Sequence, residues 1–308
     1  MRISSTSKWI QQFLETDPPR AKSVTMTVFG DSIAPHGGAV WLGSLIALLS
    51  PFGISDRLVR TSVFRLAEEG WLESRREGRR SLYALTAVGL HRFEHAYRRI
   101  YARPSQQWSG TWTLVIAATD TISATERGTL RKELLWEGFS MIAPGVFARP
   151  TGNAEVLEEI FSRTGLSGKL SVCEASELNQ LRTRPLSDFI EQGWELESVM
   201  KNYQHFIKQF GTLVKLFGAQ AIIDPEQAFV IRTLLMHAFR RIQLHDPLLP
   251  LELLPDGWPG TAAYELCRQI YQLTYASAEQ HLITTLRRED ENAPTAAPYF
   301  RQRFGGLT

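Results

Sequence analysis

Apolar positions along this chain fall into helix-period stripes separated by short runs that read as strands. From Val40 to Leu49 the residues Trp41, Leu42, Leu45, Ile46, Leu48 and Leu49 predict a buried helix, closed by Ser50-Pro51-Phe52-Gly53. Ser55 then offers an N-cap, and Asp56 suits the positive end of a helix dipole. Val59, Val63, Leu66 and Ala67 fall at i, i+4, i+7 and i+8, one stripe that must face a core. Gly70 stands where a left-handed C-cap belongs. Trp71-Leu72 and Leu82-Tyr83-Ala84-Leu85 read as two short strands around an arginine-rich loop, and Thr86 caps a helix from Ala87 to about Ile100.

Beyond a linker at 104–111 the period changes. Trp112 to Ala118 reads as a buried strand, Thr125 to Glu137 as a helix stopped at Gly138, and Phe139–Ala143 and Val146–Arg149 as strands joined through Pro144-Gly145. Asn153–Thr164 reads as a second helix and Lys169–Glu174 as a fourth strand. Strand-helix-strand-strand-helix-strand is the ferredoxin-like order. From residue 185 the pattern is helical. Leu196, Val199, Tyr203, Phe206, Ile207, Phe210, Leu213, Val214 and Phe217 share one face. Asp224-Pro225-Glu226-Gln227 opens another helix that stops near Asp246-Pro247. After a proline-rich segment, Thr261 to about Arg287 is a third, and Glu289–Thr308 reads as a loosely ordered tail docking through Tyr299, Phe300 and Phe304. The expected fold is α+β in three parts: a winged helix-turn-helix at 21–103, a ferredoxin-like domain at 108–180 and a helical domain at 185–308.

The polar side of the helix after Ser55 decides the functional reading. It carries Arg57, Arg60, Thr61 and Phe64, with Arg65 at its edge. Arginine pairs bidentately with guanine and also grips phosphate. The following hairpin adds Arg75, Arg76, Arg79, Arg80 and Ser81 around Gly78, too charged to be core. Together with Ser55 these residues are the candidate contacts to double-stranded DNA, with the upstream helix bracing the recognition helix. Charge distribution agrees: residues 1–104 hold fifteen Lys+Arg and nine Asp+Glu, net +6, in a chain whose total is +2. A basic front end on a mildly acidic body suits a nucleic-acid partner.

Other classes find little support. Cys173 and Cys267 are too few for a disulfide framework or a zinc site, which fits buried thiols in a reducing cytoplasm. The first twenty residues lack a signal-peptide pattern, and no run approaches the roughly eighteen apolar residues of a membrane span. No His-Glu-x-x-His, Gly-x-Ser-x-Gly or phosphate-loop motif occurs, so no enzyme is expected.

With these segments laid out, the chain resembles the PaaX family, repressors of bacterial phenylacetate degradation. The carriers are Phe29-Gly30-Asp31-Ser32, His36-Gly37-Gly38, Trp41-Leu42-Gly43-Ser44-Leu45, Val59-Arg60-Thr61, Phe64-Arg65-Leu66, Glu69-Gly70-Trp71-Leu72 and Gly78-Arg79-Arg80-Ser81. Later come Arg240-Arg241, Asp246-Pro247-Leu248-Leu249-Pro250, Glu252-Leu253-Leu254-Pro255 and Gln302-Arg303-Phe304-Gly305-Gly306-Leu307. The resemblance implies a cytoplasmic homodimer that binds operator DNA, has no cofactor, and is released by phenylacetyl-CoA. A CoA thioester needs cations for its phosphates and an apolar cavity for its acyl group. His237, Arg240 and Arg241 are the best cationic group, with Trp258, Tyr264 and Tyr271 as acyl contacts. The central unit also resembles the small ferredoxin-like nucleases of CRISPR systems, whose aspartate at the place of Asp120 binds metal. One carboxylate does not make a metal site, and none is expected.

Overall fold

The structure is a computed structural model that describes residues 4–103, 108–118, 121–177, 188, 194–218 and 223–307. Its contacts divide the chain into two compact units. One gathers Met1–Arg103, Gln204–Arg241 and Ala262–Thr308, and the other Pro104–Tyr203 and Ile242–Thr261. Parts of the expected first and third segments thus fall in one compact unit, in which the late helices pack with the front end.

In the first unit, α1 (Ser5–Thr16) and α2 (Ala21–Val28) precede a π-turn at Phe29–Ile33. Strand β1 (Ala39–Trp41) leads into α3 (Leu42–Leu49), followed by α4 (Asp56–Glu68). Strands β2 (Leu72–Glu77) and β3 (Arg80–Leu85) form a hairpin, and β1 pairs with β3 to give the order β1-β3-β2. Helix α5 (Ala87–Tyr101) ends the segment. Two expectations change here. Val40 and Trp41 belong to β1, opposite Tyr83 and Leu82, rather than to the helix. A β-branched and an aromatic residue suit the pleated position beside a strand partner, and both are buried there. The arginine-rich stretch between the strands is mostly strand, with Arg75 opposite Leu82 and Arg76 opposite Ser81, so only Gly78 and Arg79 are left as the turn. Gly78 takes the positive φ of 59° that so tight a turn demands.

The late helices of this unit are α8 (Leu196–Gly218, from Gln204 onward), α9 (Pro225–Gln243) and α10 (Gly260–Leu286). The stripe expected on α8 is the buried one: Phe206, Phe210, Leu213 and Phe217 are core. Trp9 and Phe13 of α1 both stack on Phe210, so Ser5–Thr16 forms a docked amphipathic helix. The tail is ordered as well. Short 3₁₀ turns over Pro298–Gly305 break at Arg303 and Phe304, and Phe300, Arg303 and Phe304 are buried.

The second unit contains β4 (Trp112–Ile116), α6 (Ala124–Trp136), β5 (Ser140–Ala143), β6 (Val146–Pro150), α7 (Ala154–Thr164) and β7 (Ser171–Ala175). This is the expected β-α-β-β-α-β order, in one antiparallel sheet arranged β5-β6-β4-β7. Alternation along β4 sends Val115 towards Leu130, Leu134, Phe147 and Leu157, while Trp112 joins Trp194, Leu196 and Leu249. Mixed helix and sheet with this antiparallel topology places the protein in the α+β class. Asp120 lies outside the described residues.

Candidate nucleic-acid interface

Helix α4 packs on α2 and α3 through Val59, Val63 and Leu66, which have no solvent exposure. That burial orients the opposite face outward. Arg57, Arg60, Thr61, Phe64 and Arg65 are all exposed on it, with Phe64 at 59% and Leu58 at 50%. Among the described residues, no carboxylate pairs with the guanidinium of Arg57, Arg60 or Arg65. Thr61 donates its hydroxyl to the carbonyl of Arg57 one turn back, 2.9 Å away. Ser55 stands at the N-cap with extended backbone, yet its side chain makes no capping bond. The expected cap is thus only positional, and the hydroxyl sits exposed at the helix N-terminus.

The hairpin divides its arginines. Arg79 is exposed at the turn. Arg75 pairs with Glu77 at 2.6 Å, and Arg76 donates to the Gly78 carbonyl at 3.2 Å; both remain exposed. Surface pairs of this kind hold side chains weakly. Arg80 is different: it stacks 4.4 Å over the Trp41 ring and donates to the Glu289 carbonyl at 2.9 Å. Ser81 is half-buried on β3. Arg80 therefore works at least partly as an internal brace.

The expected effector residues scatter. His237 is buried, with Nδ1 3.0 Å from Thr27 Oγ1, and burial together with Arg240 and Arg241 lowers its pKa to about 3. Arg240 donates Nε to the same Thr27 hydroxyl at 2.9 Å and Nη2 to the Ser23 carbonyl at 3.0 Å, and burial lowers its pKa to about 10. Both are committed to holding α9 against α2. Arg241 is exposed. Tyr264 and Tyr271 are buried against Phe304, at ring distances of 5.6 and 5.2 Å, and burial raises the Tyr264 pKa to about 12. Trp258 belongs to the second unit, edge-on to Tyr203 at 5.8 Å.

His237 has a measurable consequence. The folded chain holds this imidazole neutral, whereas the unfolded chain takes up a proton near its ordinary pKa of 6.5. Stability is then fully present above that pH and falls on acidification towards about 3, by at most ~1.4 kcal/mol per pH unit. Glu279, lowered from 4.5 to about 2, adds a loss only below 4.5. Urea midpoints should therefore drop between pH 7 and pH 5, and less so for His237→Gln. Equal drops in both proteins would show the imidazole to be solvated.

Sequence reasoning missed a buried ionic cluster. Asp31, at 4% exposure, accepts from Tyr101 at 2.6 Å, Tyr271 at 3.1 Å and Arg303 at 3.0 Å, and lies 3.2 Å from Arg232 Nε. Arg232 also reaches Glu279 at 2.6 Å and the Ser32 hydroxyl at 3.0 Å, and His36 Nε2 is 2.9 Å from the other Glu279 oxygen. Arg303 lies under the faces of Tyr101 and Phe300, 4.3 and 4.5 Å from their centroids. Burial opposes its charge, but Tyr101, Tyr271 and Asp31 hold its pKa well above the ordinary value. The available signal was an aspartate inside the apolar run Val28–Ile33 and an arginine beside Phe304 in the tail.

Comparison with known proteins bears on the whole chain. Residues 20–89 match the PaaX-like protein family, 105–186 the PaaX protein central Cas2-like domain, and 194–284 the PaaX-like protein C-terminal domain. The transcriptional repressor PaaX of Escherichia coli (strain K12) is 35% identical over 99% of this chain and 96% of its own length. The solved structure of the uncharacterized protein Rv0674 from Mycobacterium tuberculosis superposes with a TM-score of 0.54 at 23% identity. It covers 86% of this chain and 98% of its own, a likeness of fold alone.

Proposed function

This chain belongs to the PaaX-like family, and from that premise we propose that it is a transcriptional repressor of phenylacetate catabolic genes, a DNA-binding regulator rather than an enzyme. The observation that carries the reading is the outer face of α4, where Arg57, Arg60 and Arg65 stand exposed beside Phe64 and Leu58, with no carboxylate partner among the described residues. Guanidiniums left unpaired on a rigid helix are preorganised for guanine edges and phosphates, and apolar neighbours suit thymine methyls. We read α3, α4 and the β2–β3 hairpin as a winged helix-turn-helix, with Arg75, Arg76 and Arg79 on the wing. A homodimer presenting two such helices fits a palindromic operator.

Release by phenylacetyl-CoA is part of the proposal. Effector binding shifts a population of dimers towards a form whose half-site spacing no longer matches the operator, by as much as the ligand prefers that form. Arg241 is the exposed cation of the expected effector set and Trp258 its half-buried aromatic. The alternative reading, a metal-dependent nuclease on the ferredoxin-like unit, rests on Asp120 and lies outside the described residues. Among the described residues no helix alone is long and apolar enough to cross a membrane, and a cytoplasmic location suits the proposed role.

The test is fluorescence anisotropy on promoter DNA upstream of the phenylacetate genes of the same genome, with phenylacetyl-CoA, free phenylacetate and another acyl-CoA as competitors. Tight binding that weakens steeply with salt and is reversed by the phenylacetyl thioester is expected. Reversal by the other acyl-CoA alone would reassign the effector, and no preference over scrambled DNA would remove the repressor reading.

A further inference from the structure

Helix α3 begins without a cap of its own. Its N-cap residue is Trp41, which has no side-chain acceptor to offer and makes no capping bond. The acceptor comes instead from Glu289, three residues beyond α10. Its carboxylate takes the Ser44 backbone N–H at 2.5 Å and the Ser44 hydroxyl at 3.0 Å. Gly43 leaves room for it: a Cβ there would lie 2.7 Å from both carboxylate oxygens. A carboxylate at this end of a helix satisfies an orphan donor and complements the dipole. The backbone carbonyl of the same residue accepts from Arg80, whose guanidinium stacks on Trp41. One residue thus grips both the start of α3 and, through Arg80, the turn end of the hairpin, and α3 in turn packs on α4.

We propose that Glu289 is the positioning residue of the DNA-contacting surface: it touches no DNA but sets α3 and the hairpin in register with the end of α10. Through it, any displacement of α10 reaches the recognition elements directly. The inference rests on the DNA-binding reading above.

Charge and position make opposite predictions, which separates them. Removing a carboxylate next to a basic surface strengthens attraction to any DNA. Releasing α3 and the hairpin weakens operator binding selectively. Glu289→Ala is expected to raise the operator dissociation constant about tenfold at a temperature where circular dichroism shows it folded, with scrambled-duplex binding unchanged or tighter. Glu289→Gln keeps an acceptor and should recover most of the loss. Gly43→Ala, which pushes the carboxylate aside without removing it, should act in the same direction and serves if Glu289→Ala fails to fold. Operator binding as tight as wild type in folded Glu289→Ala or Gly43→Ala, with at most a lower melting temperature, would reduce Glu289 to a structural cap. If the unsubstituted chain shows no preference for operator, the DNA-binding reading falls and takes this proposal with it.

Discussion

Replacing Arg303 with alanine is expected to cost about 3–5 kcal/mol of stability, lowering the melting temperature on the order of 10 °C. The reason is charge balance in a dry place. Asp31 and Glu279 face Arg232 and Arg303, and the side chains of Asp31, Arg232 and Arg303 are at most 3% exposed. Deleting Arg303 leaves two carboxylates sharing Arg232 and the His36 ring, and Asp31 loses donors to both its side chain and its carbonyl. The guanidinium also fills the space between Tyr101 and Phe300, so lysine, with its compact ammonium, should not rescue. Arg303→Ala combined with Asp31→Asn should recover part of the loss, because the orphaned charge is removed with its partner. Urea denaturation followed by tryptophan fluorescence measures both. A double variant no more stable than Arg303→Ala alone would mean that packing, not the uncompensated carboxylate, dominates.

Arg60→Ala should leave that stability within about 0.5 kcal/mol and remove operator affinity instead. Arg60 is exposed on the middle of α4, one turn from Phe64 and far in sequence from the ionic cluster. A bidentate base contact contributes about 1–3 kcal/mol of discrimination, so roughly 10- to 100-fold is expected on operator and little on scrambled duplex. Arg79→Ala, at the hairpin turn, should weaken binding to both duplexes alike and lower the salt slope by about one, as a phosphate contact does. Anisotropy titrations of the two variants on both duplexes decide the matter. A uniform loss for Arg60→Ala would move it to the phosphate backbone, and no loss would take α4 out of the interface.

What could be read from the sequence follows the range of the physics involved. The α4 stripe, the presence of the hairpin (though not the length of its strands) and the β-α-β-β-α-β order are governed by periodicity and turn residues a few positions apart, and they stand as expected. The cluster around Asp31 depends on partners up to 272 residues away, a pairing that no local pattern encodes. Asp31 and Arg303 were visible only as polar residues inside motifs. The contacts of His237 and Arg240 with α2 were hidden for the same reason. A cationic pair on a late helix looks free until the helix that consumes it, α2, is placed beside it. Trp41 was drawn into a helix because its apolar neighbours continue into one, whereas its strand partner Leu82 lies forty-one residues on.

The shared core also sets an order of events during synthesis. Helix α4 and the hairpin emerge from the ribosome early, but the groups that neutralise Asp31 (Arg232 and Arg303), hold α2 (His237 and Arg240) and cap α3 (Glu289) are translated later. A nascent chain or a truncated product that stops before residue 303 carries the arginine face without the framework that aims it. Such fragments are expected to expose apolar surface that chaperones and proteases recognise. On the DNA-binding reading proposed above, only a chain translated through Arg303 is expected to hold the arginine face of α4 in its framework.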